Sequence, residues 1–190
     1  MKILFAALLI SHLANAQHKW NDGVAVLNDS QVIVGKISFN HTVLLAKQED
    51  QVIVLPSHKI YSFRFYDAES NINRHYVSLP SYGSIFRTLY FYEVVVWGKT
   101  SVIRKQHNLI NHQSKNGEAD NFEYYVLLNE EMVPLKKFRS KVYPKLLSAY
   151  PFALEDLINQ KKLNPNLPAD AIRIIQFSNQ HSQEISIAGL

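Results

Sequence analysis

From Trp20 to about Leu135 the chain alternates short apolar runs with polar turns, the spacing of an antiparallel β-rich domain. Val24–Leu27 and Val32–Val34 with Ile37 flank Asn28-Asp29-Ser30, which predicts a hairpin, because Asn and Asp tolerate turn conformations and β-branched residues suit both strands. Val43–Ala46 and Val52–Leu55 predict a second hairpin around Gln48-Glu49-Asp50, ended by Pro56. In Ile60–Tyr66, Tyr61, Phe63 and Phe65 are read as the core face against Ser62, Arg64 and Tyr66. Arg74–Leu79 predicts a strand broken at Pro80–Gly83, and Leu89–Trp97, apolar on both faces, predicts a central strand. Further strands are expected at Ser101–Lys105 and Phe122–Leu128, separated by a long polar loop from Gln106 to Asp120.

At Leu135 the period changes from two to four. Phe138, Val142, Leu146 and Tyr150 fall on one helical face and Lys137, Lys141 and Lys145 on another. Pro144 belongs in a first turn, which places the helix start near Ser140 or Tyr143. A second helix is expected from Pro151 to Leu163, and a third from Pro168 with Asp170 at its positive end and Ile172, Ile174, Ile175 and Phe177 toward the core. No Gly/Ser/Pro-rich linker intervenes. The expected fold is therefore α+β: an antiparallel β-rich domain, sandwich or partly open barrel, followed by two or three C-terminal α-helices packed on it.

The first residues follow another logic. Met1-Lys2, the apolar run Ile3–Ile10 and Ala14-Asn15-Ala16 have the order of a secretory signal peptide cleaved after Ala16. The expected organisation is residues 1–16 signal peptide, 17–135 β-rich region, 136–182 helical region and 183–190 tail. Removing residues 1–16 takes away one Lys and one His and leaves 19 basic against 16 acidic side chains. So small an excess defines no nucleic-acid surface. No second apolar stretch reaches spanning length, so no transmembrane segment is expected after cleavage. The chain has no Cys, which excludes disulfides, thiol catalysis and a lipid-modified cysteine, and fits a periplasmic or secreted bacterial protein.

The run GVAVLNDSQVIVGKI, with IYSFRFYD, RHYVSLP, FYEVVVWGKTSVIRK, YYVLL, LKKF and LINQKKLN…AIRIIQFSN, resembles uncharacterised secreted proteins of Bacteroidetes-type bacteria. The hairpin turn of that pattern often carries Gly where this chain has Ser30. The resemblance implies compartment and architecture and carries over no functional residue.

Candidate chemistry is diffuse. His107 and His112, with Glu118 or Asp120, lack zinc-site spacing. Asp67, Glu69, Asn71 and Asn73 alternate like calcium ligands, but Ile72 and Ser78 stand where a calcium loop needs Gly and Glu. Tyr82-Gly83-Ser84 is no nucleophile elbow, and Asn40-His41-Thr42 reads as a turn despite matching a glycosylation sequon. Glu93, Glu123, Glu130 and Asp156 are carboxylates that a fold can bring together for glycoside cleavage, and Glu93, inside an apolar strand, is the one to watch. Lys136, Lys137, Arg139, Lys141 and Lys145 form the basic cluster, suited to a solvated helix face or to anionic lipid or polysaccharide. The reading assigns no catalytic, cofactor-binding or metal residue and no cofactor. It expects an exported, non-catalytic binding or assembly module with a protein, glycan or lipid partner in the envelope. A lipid or glycan carrier is the alternative, and a carboxylate-dependent hydrolase stands behind it.

Overall fold

The computed structural model describes residues 19–49, 51–85, 88–106, 121–129 and 131–188, of which 183–188 by backbone alone. The expected signal peptide and most of the long polar loop, including His107, His112, Glu118 and Asp120, lie outside these residues, as does Glu130.

Ten strands form one antiparallel sheet: β1 Asn21–Leu27, β2 Val32–Phe39, β3 Val43–Gln48, β4 Gln51–Pro56, β5 Ile60–Asp67, β6 Ile72–Pro80, β7 Leu89–Val96, β8 Thr100–Gln106, β9 Phe122–Leu128 and β10 Glu131–Pro134. Their order is β10-β9-β8-β7-β6-β5-β1-β2-β3-β4. The fold is α+β, as expected: a single antiparallel sheet that does not close, followed by C-terminal helices. A 3-10 turn at Ser57–Lys59 carries the chain from β4 back to β5, which pairs on the far side of β1. Strands β1–β7 curl around their shared inner face, and hydrogen bonds tie β6 and β7 back to the β2–β4 end of the sheet. The Phe91 N–H donates to the His41 carbonyl (3.0 Å) in the β2–β3 turn. The Ser57 hydroxyl donates to the Leu89 carbonyl and the Ser78 hydroxyl to the Ser57 carbonyl, both 2.7 Å.

Because side chains alternate and ladder partners share a side, one sheet face can be followed across all ten strands. In the rolled half it carries Ala25, Ile37, Leu44, Phe63, Phe65 and Phe91, a buried apolar core. Phe39 packs into it 4.9 Å from the Phe63 ring and 4.7 Å from Tyr76. In the other half the same face carries Val102, Val126, Leu128 and Val133. There the helices α1 Tyr143–Ala149, α2 Pro151–Lys161 and α3 Pro168–Ala188 cover it with Leu146, Leu154, Ile174 and Ile175. On the opposite face Tyr92, Ile103 and Tyr125 make a third, smaller cluster.

Two one-residue irregularities revise the expected faces. Val26 pairs with Ser62 but Leu27 with Ile60, so Tyr61 is the extra residue. It bulges into solvent at 63% exposure while Ile60 turns inward, where simple alternation places Tyr61 with Phe63. On β7, Val94 pairs with Ile103 and Val96 with Val102, so Val95 is the extra residue. Val96 thereby joins the helix-covered core instead of the side of Tyr92, and Trp97 is left 69% exposed, its ring 5.8 Å from His75.

The helical region begins earlier than Pro144 suggests. A 3-10 turn at Leu135–Lys137 leads into a π-helical turn at Phe138–Val142, which turns Phe138 and Val142 inward before α1 starts at Tyr143 and adds Leu146 to the same core. The expected second helix stops at Lys161, capped by Lys162 in the left-handed conformation (φ 51°). Among the described side chains of α3, Ala171, Ile174, Ile175, Ser178 and Asn179 are buried, and Ile172 and Phe177 are only half-buried. The helix continues to Ala188, through the stretch read as a tail.

Candidate functional site

The inner face is apolar at both ends and charged in the middle. Between the phenylalanine core and the helix-covered core lie Asp67 (β5), Arg74 and Tyr76 (β6), Glu93 (β7), and Arg104 (β8) beside Tyr124 (β9). The ladder sets them side by side: Phe65 pairs with Arg74, Tyr76 with Glu93, Glu93 with Arg104 and Arg104 with Tyr124. A charge on the inner face of a strand must find a partner there, and each does. Arg74 donates through Nε to Asp67 Oδ2 and through Nη1 to Glu93 Oε1, both 2.8 Å. Arg104 donates through Nε to Glu93 Oε2 at 2.7 Å and through Nη1 to the Tyr124 hydroxyl at 3.2 Å. The Arg104 guanidinium also lies over the Phe122 ring, 4.1 Å from its centroid.

This network floors a cleft of about 550 Å³ walled by Phe39, Asn40, His41, Phe65, Phe91 and Phe122, with Lys19 and Gln106 at its rim. Its electrostatics are internally compensated. Hydrogen bonding from Arg74 holds the Asp67 carboxyl far below the usual carboxylate range, against the opposing effect of burial. Burial, reinforced by Glu93, pushes the Tyr76 hydroxyl well above the usual tyrosine value. Burial, and then the charge of Lys105, lowers the His41 imidazole. The wall at Asn40 is a side-chain turn: its Oδ1 accepts from the Thr42 and Val43 N–H groups at 3.0 and 2.9 Å, the turn expected at the sequon.

A second cleft, of about 700 Å³, adjoins the first and shares Phe122 with it. Tyr82, Tyr124, Tyr125, Pro134 and Leu135 wall it, and Lys105, Lys136 and Lys137 stand around it with the acid Glu123. Glu123 Oε2 accepts from the Tyr125 hydroxyl (2.6 Å) and sits 3.6 Å from Lys105. Lys136, Lys137, Arg139 and Lys141 are all exposed on the 3-10 and π turns, while Lys145 reaches Glu131 at 3.5 Å.

Of the carboxylates singled out from the sequence, Glu93 is buried at the centre of the first cleft, Glu123 lines the second, and Asp156 is exposed on α2. Among the described residues, no two of these meet in one site. The acid that joins Glu93 is Asp67, weighed from the sequence as a calcium ligand. Its oxygens instead accept from Arg74, from Lys19 (3.4 Å) and from the Glu69 N–H (3.2 Å), and Asn71 Oδ1 accepts from the Tyr66 hydroxyl. Among the described residues no group of three or more His, Asp or Glu is placed to hold a metal. Sequence reasoning passed over Arg74 and Arg104. The signal available was positional: both are charges in strands whose neighbours two residues away, Tyr76 and Val102, face inward.

No known protein family, curated protein or solved structure matches this chain.

Proposed function

We propose that this chain is an exported, non-catalytic carbohydrate-binding protein of a bacterial envelope, and that the first cleft holds the sugar. One observation carries this reading: the cleft sets aromatic rings (Phe39, Phe65, Phe91, Phe122) beside fixed planar hydrogen-bonding groups (Asp67, Arg74, Glu93, Arg104). Aromatic walls take the apolar faces of a sugar ring, and bound carboxylates and guanidiniums meet its hydroxyls without needing a counter-charge from the ligand. The volume lies within the roughly 300–1,000 Å³ range of small-ligand sites. A lipid chain fits less well, since it would desolvate the ion-paired floor without hydrogen-bonding to it.

Glycoside hydrolysis requires one protonated carboxyl and a second carboxylate free to act as base or nucleophile. Asp67 is held ionised by Arg74, and both Glu93 oxygens are engaged by guanidiniums. That favours binding over cleavage. The test is a thermal-melting screen of the chain from Gln17 onward against neutral oligosaccharides and fatty acids, since a ligand of the native state raises its apparent stability. A rise with an oligosaccharide that disappears in Phe122→Ala or Gln106→Ala supports the reading. A rise with fatty acid alone, or hydrolysis of the sugar, overturns it.

A second reading rests on the outer face of β2 and β4, where Val32, Val34, Val52 and Val54 are 52–66% exposed. These valines, on either side of Lys36 and Lys47, suit assembly with another protein surface. Sedimentation of wild type against Val52→Lys/Val54→Lys tests it: a larger species lost in the variant supports assembly, and a monomer in both removes it.

A further inference from the structure

The two clefts are neighbours with one wall in common, and they differ in charge. In the first, each acid is matched by a guanidinium: Asp67 by Arg74, and Glu93 by Arg74 and Arg104 together. Among the described residues that line the second, three lysines (Lys105, Lys136, Lys137) stand with one acid, Glu123, which accepts from the Tyr125 hydroxyl and pairs with Lys105 at 3.6 Å. The Lys105 ammonium has further neighbours: it lies 5.0 Å from the Tyr90 ring centroid and 5.9 Å from that of Tyr92. Among the described residues, Lys136 and Lys137 have no acidic partner, and Arg139 and Lys141 extend the same exposed positive segment. That segment runs from the 3-10 turn that carries Lys136 and Lys137 into the π-helical turn that carries Arg139 and Lys141, which spaces Phe138 and Val142 into the core while the cations stay in solvent.

We infer that the ligand is an acidic oligosaccharide, one carrying carboxylate or sulfate groups, which lies across both clefts over Phe122. This rests on the carbohydrate reading above and adds the class of sugar to it. The uncharged faces and hydroxyls of the chain meet the aromatic and ion-paired floor of the first cleft. Its anionic substituents meet Lys136 and Lys137 in the second, where tyrosine rings offer further stacking faces. Phe122, with Arg104 over its ring, is the common wall that both halves of the ligand touch. The concave form of the lysine-rimmed cleft favours a chain that enters it over a membrane surface, which calls for cations on a protruding face.

The experiment is calorimetric titration of the chain from Gln17 onward with hexagalacturonate and with the neutral hexasaccharide maltohexaose. Vesicles of phosphatidylglycerol serve as the membrane probe. The acidic hexamer binds about tenfold more tightly than the neutral one at low salt, as one added charge-assisted hydrogen bond implies. The advantage shrinks as ionic strength rises. Lys136→Ala/Lys137→Ala, two exposed changes checked by an unshifted melting temperature, abolishes the advantage of the acidic hexamer over the neutral one. Phe122→Ala weakens both. Equal binding of the two hexamers overturns this inference and leaves the carbohydrate reading standing. Binding of neither overturns both. Binding to vesicles with none to the hexagalacturonate overturns it in favour of a lipid surface.

Discussion

Asn179, buried in the middle of α3, closes both backbone hydrogen bonds of Thr100 at the start of β8: its Oδ1 accepts from the Thr100 N–H at 3.0 Å, and its Nδ2 donates to the Thr100 carbonyl at 2.8 Å. The amide acts as one more residue of strand and fixes the helix to the β7–β8 hairpin. Gly98 makes room for it, since a Cβ at that position would fall on the Asn179 amide. Asn179→Ala leaves a buried N–H and a buried carbonyl unpaired and costs about 2–4 kcal/mol in urea unfolding. Gly98→Ala is strongly destabilising alone and much less so in the Asn179→Ala background, because the clash and the bond involve the same two groups. Additive costs in the double variant sink this account.

The ion network makes stability depend on acid. Asp67 has a folded-state pKa below its ordinary value of about 3.9, caused first by the hydrogen bond from Arg74. A depressed carboxylate contributes stability that is fully present above the unfolded-state value and is lost as pH falls toward the folded-state value. The urea midpoint of wild type therefore falls as pH drops below about 4. Asp67→Asn, less stable at neutral pH, shows a flatter fall over the same range. Parallel curves for the two proteins refute the assignment.

Nine of the ten strands, their hairpin turns and the change to helices at Leu135 were legible because each rests on local period and turn chemistry, whereas the four-residue β10 (Glu131–Pro134) is too short to show a period. Two further kinds of feature were not legible. The bulges at Tyr61 and Val95 each shift a face by one residue, and nothing in the tripeptides around them differs from regular strand. The cleft was hidden for a different reason: Asp67, Arg74, Glu93 and Arg104 belong to four strands, and only the ladder brings them together. Glu93 stood out because a lone acid in an apolar strand must be explained. Its partners did not, because an Arg two residues from an inward residue looks like any strand-end charge.

The first hairpin offers a direct comparison of sequence with backbone. Ser30 sits at φ 69° in the turn between β1 and β2, with its N–H donated to the Leu27 carbonyl at 3.0 Å. An L-residue there costs about 1–2 kcal/mol that glycine avoids, partly offset by glycine's greater freedom in the unfolded chain. Ser30→Gly should raise the unfolding free energy by up to about 1 kcal/mol, and Ser30→Val should lower it. A melting temperature that falls with glycine contradicts the turn geometry.

Glu93 separates a structural from a binding role for the charged strip. Its side chain is 8% exposed and each oxygen accepts from a different guanidinium, at 2.8 Å from Arg74 and 2.7 Å from Arg104. Neutralising it leaves two cations facing one uncharged group in a partly desolvated setting, and breaking a buried pair in this way costs about 3–5 kcal/mol. Glu93→Gln keeps the shape and one acceptor oxygen, so its loss lies toward the lower end of that range. Glu93→Gln/Arg104→Met removes a cation with the acid, and Arg74 remains paired with Asp67. Part of the loss therefore returns in the double variant, which should be more stable than the single one. If stability returns and oligosaccharide binding does not, the strip serves the ligand as well as the fold. If both return, its role in this cleft is to join the two cores.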